Sequence, residues 1–321
     1  MERRRAYLLY NPAAGRFPSH LLAERAARVL RERGWELSLQ QTRDGEHIRQ
    51  LAEQAAGAGM DALFVAGGDG SLNQAVRGLV GSETALGVLP AGTANVWAQE
   101  LGLPGLTWTR WLALEESARR LAEAPARWID IGLCNDRPFL LWAGIGLDAF
   151  IVHHLEPRSP LEKHFAVAHY AASVVWHAGF WRGMNLWVEA DGRQVSGHFL
   201  LASVSNVHLY AGGFAVLSPA ARLDDGLMDL WLFEGETLAD TVQLGWELGT
   251  GRHLSSPQVQ HVPFFHHLRL EAEQPMFVQV DGEPAEGSRA LTIKTIPGAL
   301  RVLVPEATPY PLFVGKKEPE Y

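Results

Sequence analysis

Gly67-Gly68-Asp69-Gly70-Ser71 packs three glycines, an acid and a hydroxyl into five residues, a composition suited to holding an anion. Glycines let backbone N–H groups come close to phosphate oxygens, and a helix starting there adds unpaired N–H groups and a positive dipole end. Asp69 could then hold the metal that travels with a nucleotide's phosphates, although a tight turn with Asp69 as a plain helix cap has the same composition. The segment is neither a Walker lysine loop nor the spaced glycines of a dinucleotide fold. Further on, Asp281-Gly282-Glu283 offers two acids. A carboxylate there could take the proton of a substrate hydroxyl, and residues two apart on a strand face the same side, so the two could act as a pair. Solvated acids at a hairpin tip are the plain alternative.

The surrounding pattern suggests what positions these residues. Ala6–Tyr10, Trp35–Gln41, Ala62–Ala66 and Ala85–Leu89 read as strands, and Ser19–Arg33, Glu46–Ala58, Ser71–Val80 and Ala94–Leu101 as helices. Repeated βαβ units imply a parallel sheet covered by helices. The loops after its strands converge at one carboxyl edge, where α/β sheets bind ligands. Asn11-Pro12-Ala13-Ala14-Gly15, the glycine turn and Leu89-Pro90-Ala91-Gly92-Thr93-Ala94-Asn95 all follow strands, so three candidate loops share that edge. Asn11-Pro12 alone would be ordinary turn chemistry.

Near Arg127 the pattern changes to short strands separated by Asp-Gly pairs, at Asp191-Gly192, Asp225-Gly226 and Asp281-Gly282. Such pairs between apolar runs are hairpin signals, so a mainly antiparallel second domain is expected, a sandwich or half-barrel. Two helices interrupt it, Leu161–Ala178 and Thr237–Leu248. The expected division is 1–126 for a nucleotide-binding α/β domain, 127–304 for a β-rich acceptor domain, and 305–321 for a tail that packs back on the first.

The chain has 321 residues, 47 % hydrophobic and 20 % charged, enough for two cores. A single cysteine, Cys134, excludes an intrachain disulfide and multi-thiolate zinc, and fits a cytoplasmic protein. The apolar run after Arg3-Arg4-Arg5 is too short for an export signal. Phe165–Trp181 is interrupted by His169, Ser173 and His177, against a membrane span. A net charge of −8 argues against a nucleic-acid partner and against global attraction to anionic lipid. The 13 histidines show no metal-ligand spacing, and core packing is the default for Trp176, Trp181 and Trp187.

Taken in order, Gly67–Asn73 and Leu89–Asn95 resemble the diacylglycerol kinase catalytic-domain family, which includes sphingosine and ceramide kinases. The likeness continues through Ile129-Asp130-Ile131-Gly132, Ala143–Ala149, Asp224–Asp229 and Val280–Glu283, over nearly the whole chain, and is closest in style to soluble bacterial members. It implies a lipid kinase with its active site between the two domains. It places ATP against Asn11, Pro12, Ala13, Ala14, Gly15, Thr42, Gly67, Gly68, Asp69, Gly70, Ser71, Gly92 and Thr93. It makes Glu283 the general base, with Asp281 beside it. It also assigns a structural Mg²⁺ to the Asp225 side chain and the carbonyls of Arg222 and Leu227, oxygen ligands that suit a hard cation; a metal-free turn is the plain alternative. Asp130 would orient the metal or its waters, and Asp148 would cap a helix.

The same resemblance implies a lipid acceptor, diacylglycerol by default, reached by peripheral contact with a membrane surface. Leu161–Trp181 is the segment expected to make that contact. Many family members carry Glu at the position of Gln74 and Asp at that of Val96, so two acids of the pattern are absent here. A soluble-acceptor kinase of the NAD-kinase kind, and a non-catalytic nucleotide or lipid sensor, are the rival readings.

Overall fold

The computed structural model describes residues 4–11, 19–107, 109–155, 179–264 and 266–314. Pro12 to Gly15, the Leu161–Ala178 segment with Trp176, and the last seven residues of the chain therefore lie outside the described residues.

The first unit alternates β1 (Arg4–Tyr10), α1 (Ser19–Glu32), β2 (Trp35–Gln41), α2 (Gly45–Gly57), β3 (Ala62–Gly67), α3 (Asp69–Leu79) and β4 (Ala85–Pro90). Its strands lie in the order β4-β3-β1-β2, all parallel. β3 and β4 are buried at every position, the continuous apolar pattern of strands covered on both faces. α2 starts at Asp44, whose carboxylate accepts the His47 N–H, and turns Ile48, Leu51, Ala52 and Ala55 inward at helical spacing. The short α4 (Val96–Glu100) and α5 (Ala113–Ala122) complete this unit.

The second unit is antiparallel. It contains β5 (Ala126–Cys134), β6 (Arg137–Phe139), β7 (Trp142–Gly146), α6 (Leu147–Leu155), β8 (Met184–Ala190) and β9 (Arg193–Ser205). There follow β10 (Leu209–Tyr210), β11 (Ala215–Val216), β12 (Met228–Glu234), α7 (Leu238–Thr250), β13 (Val259–Phe264), β14 (His267–Ala272), β15 (Val278–Val280), β16 (Glu283–Ala285) and β17 (Ala290–Leu303). β8 buries alternate residues, as a strand with one wet face must. Asp191-Gly192 and Asp281-Gly282 both have positive φ, 47° and 85°, then 51° and 80°, which is the type I′ geometry of two-residue hairpins. Asp225-Gly226 is not a hairpin: β12, which follows it, pairs with β9 and β13 instead.

The two units share one sheet. β17 pairs antiparallel with β14 and β5, and near its end Val302 pairs parallel with Leu86 of β4, so the last strand of the second unit extends the sheet of the first. The core of the first unit runs on into Leu201, Trp231, Phe233 and Leu248, while Ile145, Phe199, Leu230 and Val278 belong to a separate core inside the second. Buried Glu100 of α4 adds a polar tie. It accepts the backbone N–H groups of His208 and Leu209 at 3.1 and 3.2 Å, pairs with the His208 ring, and so leaves no oxygen unmatched. Of the tail, residues 305–314 touch both units. Pro309 lies against Gly102, Tyr310 stacks on His208, and the Leu223 N–H donates to the Leu312 carbonyl. None of the helices among the described residues is long and apolar enough to cross a membrane.

Candidate active site

The glycine turn sits where β3 becomes α3. The helix begins at Asp69, two residues earlier than the apolar pattern indicates, with extended Gly68 as its N-cap. Ser71 and Leu72 donate back to the Gly68 carbonyl, leaving the first-turn amides of Asp69 and Gly70 without helical acceptors. The loop after β4 crosses this turn at close range. A β-carbon on Gly92 would come within 2.5 Å of the Gly68 Cα, so backbone meets backbone and no side chain fits between. Asn95, at φ 54°, folds the same loop on itself: its Oδ1 accepts the Gly92 N–H at 2.8 Å and its Nδ2 donates to the Gly92 carbonyl at 2.9 Å.

Asp69 joins these two loops. Its Oδ2 accepts the Val96 N–H at 3.0 Å and its Oδ1 the Trp97 N–H at 3.2 Å, capping α4 from outside that helix. Burial raises its carboxyl above the ordinary aspartate range, and those two N–H groups pull it back. The Asp69 carboxylate thus caps α4 rather than only its own helix, and holds the 92–97 segment against the glycine turn. Val96, where the family pattern has an acid, is buried in the core.

Thr42 lies at the same edge, but its Oγ donates to the Tyr10 carbonyl at 3.2 Å and its N–H to the same carbonyl at 2.8 Å, and it is buried. It ties the loops after β1 and β2 together. Asn11 is at the end of β1, at the same edge. Thr93 is exposed, and with Asn95, Gln99, Thr107, Thr109 and Arg110 it lines a cavity of about 420 Å³, within the range of small-molecule sites.

Glu283 reaches this edge from the second unit. A β-carbon on Gly70 would lie 3.1 Å from its Oε1, so the carboxylate stands over the first turn of α3. Its Oε2 is held by Arg137 Nη2 at 2.6 Å and by Gln74 Nε2 at 3.3 Å. Arg137 also donates to the Pro284 carbonyl at 2.9 Å, fixing the strand that carries the acid. Glu283 keeps partial exposure, 33 % of its side chain.

Asp281 does not stand beside it on one strand face. It lies in the left-handed turn rather than on the strand, so the two-residue spacing does not put the acids on one face. Its Oδ1 accepts the N–H groups of Leu141 and Trp142, and its Oδ2 those of Leu140 and the Asn73 amide, at 2.8 to 3.1 Å. Burial raises its carboxyl to about 6 against those four donors. It anchors the turn to α3 and to the start of β7.

A second buried acid braces the turn from behind. Asp148 Oδ2 accepts the Tyr210 hydroxyl and the Gln279 amide, each at 2.9 Å, and Gln279 Oε1 accepts the Gly282 N–H at 2.8 Å. Burial pushes Asp148 to about 6. The reading of Asp148 as a simple helix cap misses this link, though its Oδ1 does accept the Ala149 N–H. Sequence reasoning also misses Asn73, Arg137, Tyr210 and Gln279. Of these, Asn73 closes the Gly67–Asn73 motif and Gln279 lies on the strand that leads into the Asp281 turn, so these two carried a local signal.

The Arg222–Leu227 loop is pinned by Asp130, whose Oδ2 accepts the Gly226 N–H at 2.6 Å and whose Oδ1 accepts the Gly298 N–H at 2.7 Å. Asp225 Oδ1 accepts the Leu227 N–H at 3.0 Å. Burial first, and then the charges of Asp130 and Asp229, raise the Asp225 carboxyl. That surplus of negative charge, with carbonyl oxygens in the same loop, fits a hard cation. Among the described residues, no three His, Cys, Asp or Glu side chains cluster as a metal site. Trp181 is packed rather than presented: its Nε1 donates to the Leu200 carbonyl at 2.9 Å and its ring meets Phe150 and Phe277.

Comparison with known proteins follows the same two units. Residues 5–133 match the family model of the diacylglycerol kinase catalytic domain, and residues 143–304 that of the YegS C-terminal NAD kinase beta sandwich-like domain. A YegS-like probable lipid kinase of Pseudomonas aeruginosa is 34 % identical over 289 residues, 88 % of this chain and 90 % of that protein. A diacylglycerol kinase of Bacillus subtilis is 29 % identical over 289 residues, 87 % of this chain and 90 % of its own. A crystal structure of a diacylglycerol kinase from Bacillus anthracis superposes with a TM-score of 0.74 at 20 % identity, covering 95 % of this chain and 98 % of the other, which establishes the shared fold.

Proposed function

The chain belongs to the diacylglycerol kinase-like, YegS-type lipid kinase family, and on that premise we propose that it transfers the γ-phosphoryl group of ATP to the hydroxyl of a lipid, diacylglycerol before other acceptors. The observation that carries the reading is the Glu283 carboxylate standing over Gly70, which brings a base to the phosphate-binding turn from the opposite unit.

In the proposed reaction the first-turn amides of Asp69 and Gly70, with the α3 dipole, hold the nucleotide's phosphates. Asn11, Ser71, Gly92 and Thr93 form the rest of that edge, with Thr42 keeping the first two loops together. Glu283 accepts the proton of the acceptor hydroxyl as its oxygen bonds to the γ-phosphorus. The bond from that phosphorus to the β–γ bridging oxygen breaks, and ADP leaves with the electron pair. Arg137 orients Glu283 through their ion pair. Mg²⁺ supplies neutralisation of phosphate charge in this chemistry, and the Asp225 carboxylate with the Arg222 and Leu227 carbonyls would hold a structural ion.

Radiolabelled ATP with Mg²⁺, offered in parallel to diacylglycerol, sphingosine and a polyprenol in detergent micelles and to NAD in solution, tests the proposal. Label in phosphatidic acid is the expected result. Label in NAD alone would make the protein a soluble-acceptor kinase. ATP binding with no labelled acceptor would make it a sensor.

A further inference from the structure

α7 is an unusual surface helix. Thr237 and Asp240 form a capping box at its start, and Leu244, Glu247 and Leu248 are buried against the protein. On the opposite face Leu238, Val242 and Trp246 are spaced one turn apart and are 39, 60 and 51 % exposed. Leu238, Val242 and Trp246 form an uncharged stripe, and the one acid near it, partly exposed Asp240, is taken up in the capping box, whereas a surface helix ordinarily turns its charges to water. At its C-terminal end Arg252 stacks over the Trp246 ring at 4.5 Å, and Leu254 just beyond is 53 % exposed.

α7 is connected to the nucleotide edge through the short turn before β11. α7 packs on β11, and the residue before β11 is Phe214, 83 % exposed. The turn leading to Phe214 touches the nucleotide edge: Gln99 donates to the Gly212 carbonyl at 3.2 Å, and Gly212 lies against Ala94. We propose that the outward face of α7, together with Phe214, is the surface on which the protein rests on a lipid bilayer, which brings the cleft to an acceptor embedded there. This rests on the lipid-kinase reading and names a surface other than the Leu161–Trp181 segment, most of which lies outside the described residues.

Two features favour a bilayer over a second copy of the chain. A helix of 13 residues is about 20 Å long and about 10 Å wide, so its open face offers on the order of 200 Å². A stable dimer needs about 800 Å² per partner. A bilayer sets no such minimum, because each apolar side chain that enters the interface adds to binding independently. An indole beside a guanidinium also suits the headgroup region, where the ring finds apolar and polar surroundings and the cation meets phosphate. The chargeless stripe explains how a chain of net charge −8 could approach lipid at all.

The test is co-sedimentation with phosphatidylcholine vesicles containing one fifth phosphatidylglycerol, for the wild type and for Val242→Asp, Trp246→Ser and Trp187→Ser. Val242→Asp should lower the partition coefficient at least tenfold and Trp246→Ser severalfold. Trp187→Ser, a similarly exposed tryptophan on β8, should leave it unchanged, and wild-type binding should survive 0.5 M salt because the contact is apolar. Phosphorylation of a short-chain, water-soluble diacylglycerol should be equal in all four, which also shows that the variants fold. Equal vesicle binding by Val242→Asp and wild type would overturn the proposal. So would a dimer in sedimentation velocity that Val242→Asp dissociates while vesicle binding persists. Absence of short-chain phosphorylation by the wild type would instead count against the lipid-kinase reading, and the vesicle data would still report on the surface.

Discussion

Glu283 and Gly70 approach so closely that a β-carbon on the glycine would sit 3.1 Å from the carboxylate, although the two residues come from different units of the fold. Asp281, two residues from Glu283, is instead buried under four hydrogen-bond donors. The two acids therefore answer differently to loss of charge. Glu283→Gln should lower kcat by about a hundredfold or more with little change in ATP affinity, because proton acceptance is lost while the phosphate-facing turn is left in place; the loss of the Arg137 pair falls on the same side chain. Asp281→Asn turns an NH₂ toward N–H groups and should cost about 3 kcal/mol of stability, read by urea unfolding. A kcat loss confined to Asp281→Asn in a fully stable protein would reassign the base.

The capping role of Asp69 changes what its removal should do. Asp69→Ala deprives Val96 and Trp97 of their acceptor, and losing such a cap costs about 1–2 kcal/mol. The 92–95 loop that crosses the glycine turn should loosen with it. The expected outcome is a fall in both unfolding free energy and nucleotide affinity, with Asp69→Asn recovering most of the stability. An Asp69→Ala protein as stable as wild type would show that the two N–H groups find water without cost.

Much of this arrangement can be read from local pattern, and what cannot has a common cause. β2 spans Trp35–Gln41 as the apolar alternation indicates, and Asp191-Gly192 and Asp281-Gly282 turn as their residue types require. Asp225-Gly226 has the same composition but no adjacent strand to pair with, since β12 finds β9 and β13. The spacing of Asp281 and Glu283 misleads because one of them belongs to the turn. Arg137 meets Glu283 across 146 residues and Asn73 meets Asp281 across 208, contacts that no periodicity encodes. The return of β17 to β4 is equally non-local.

Gln74 occupies the place where the family pattern often has an acid, and here it donates to Glu283 at 3.3 Å. Gln74→Glu would exchange that donor for a like charge beside Glu283, the proposed base. A neighbouring carboxylate raises a carboxyl pKa, so the acid limb of kcat/KM should move to higher pH, moderated by Arg77, which lies 3.4 Å from Gln74, and by Arg137. The check is a pH–rate profile of the two proteins. Superimposable acid limbs would mean that Glu283 is not the group being titrated.

Asp148 supports the Asp281-Gly282-Glu283 turn through Gln279, and its titration should separate stability from activity. Its carboxyl and that of Asp281 are raised to about 6 by burial, above the ordinary aspartate value they regain on unfolding. Between those values the folded state binds more protons than the unfolded one. The stabilising contribution of each is therefore complete below the unfolded value and is lost as pH rises through about 6. Lowering the pH from neutral towards 5 should strengthen the fold through these two groups, by at most about 3 kcal/mol each. Activity should move the other way. The Tyr210 hydroxyl and the Gln279 amide both donate to Asp148 Oδ2, and protonation weakens that acceptor, loosening the Gln279 side chain whose Oε1 accepts the Gly282 N–H. In Asp148→Asn the amide oxygen can still accept but the group no longer titrates. Urea unfolding at pH 7.5 and 5.5 should then show a smaller acid-side gain than in wild type, and the drop in kcat over the same interval should shrink with it. Equal gains in the two proteins would place the titrating group elsewhere in the fold.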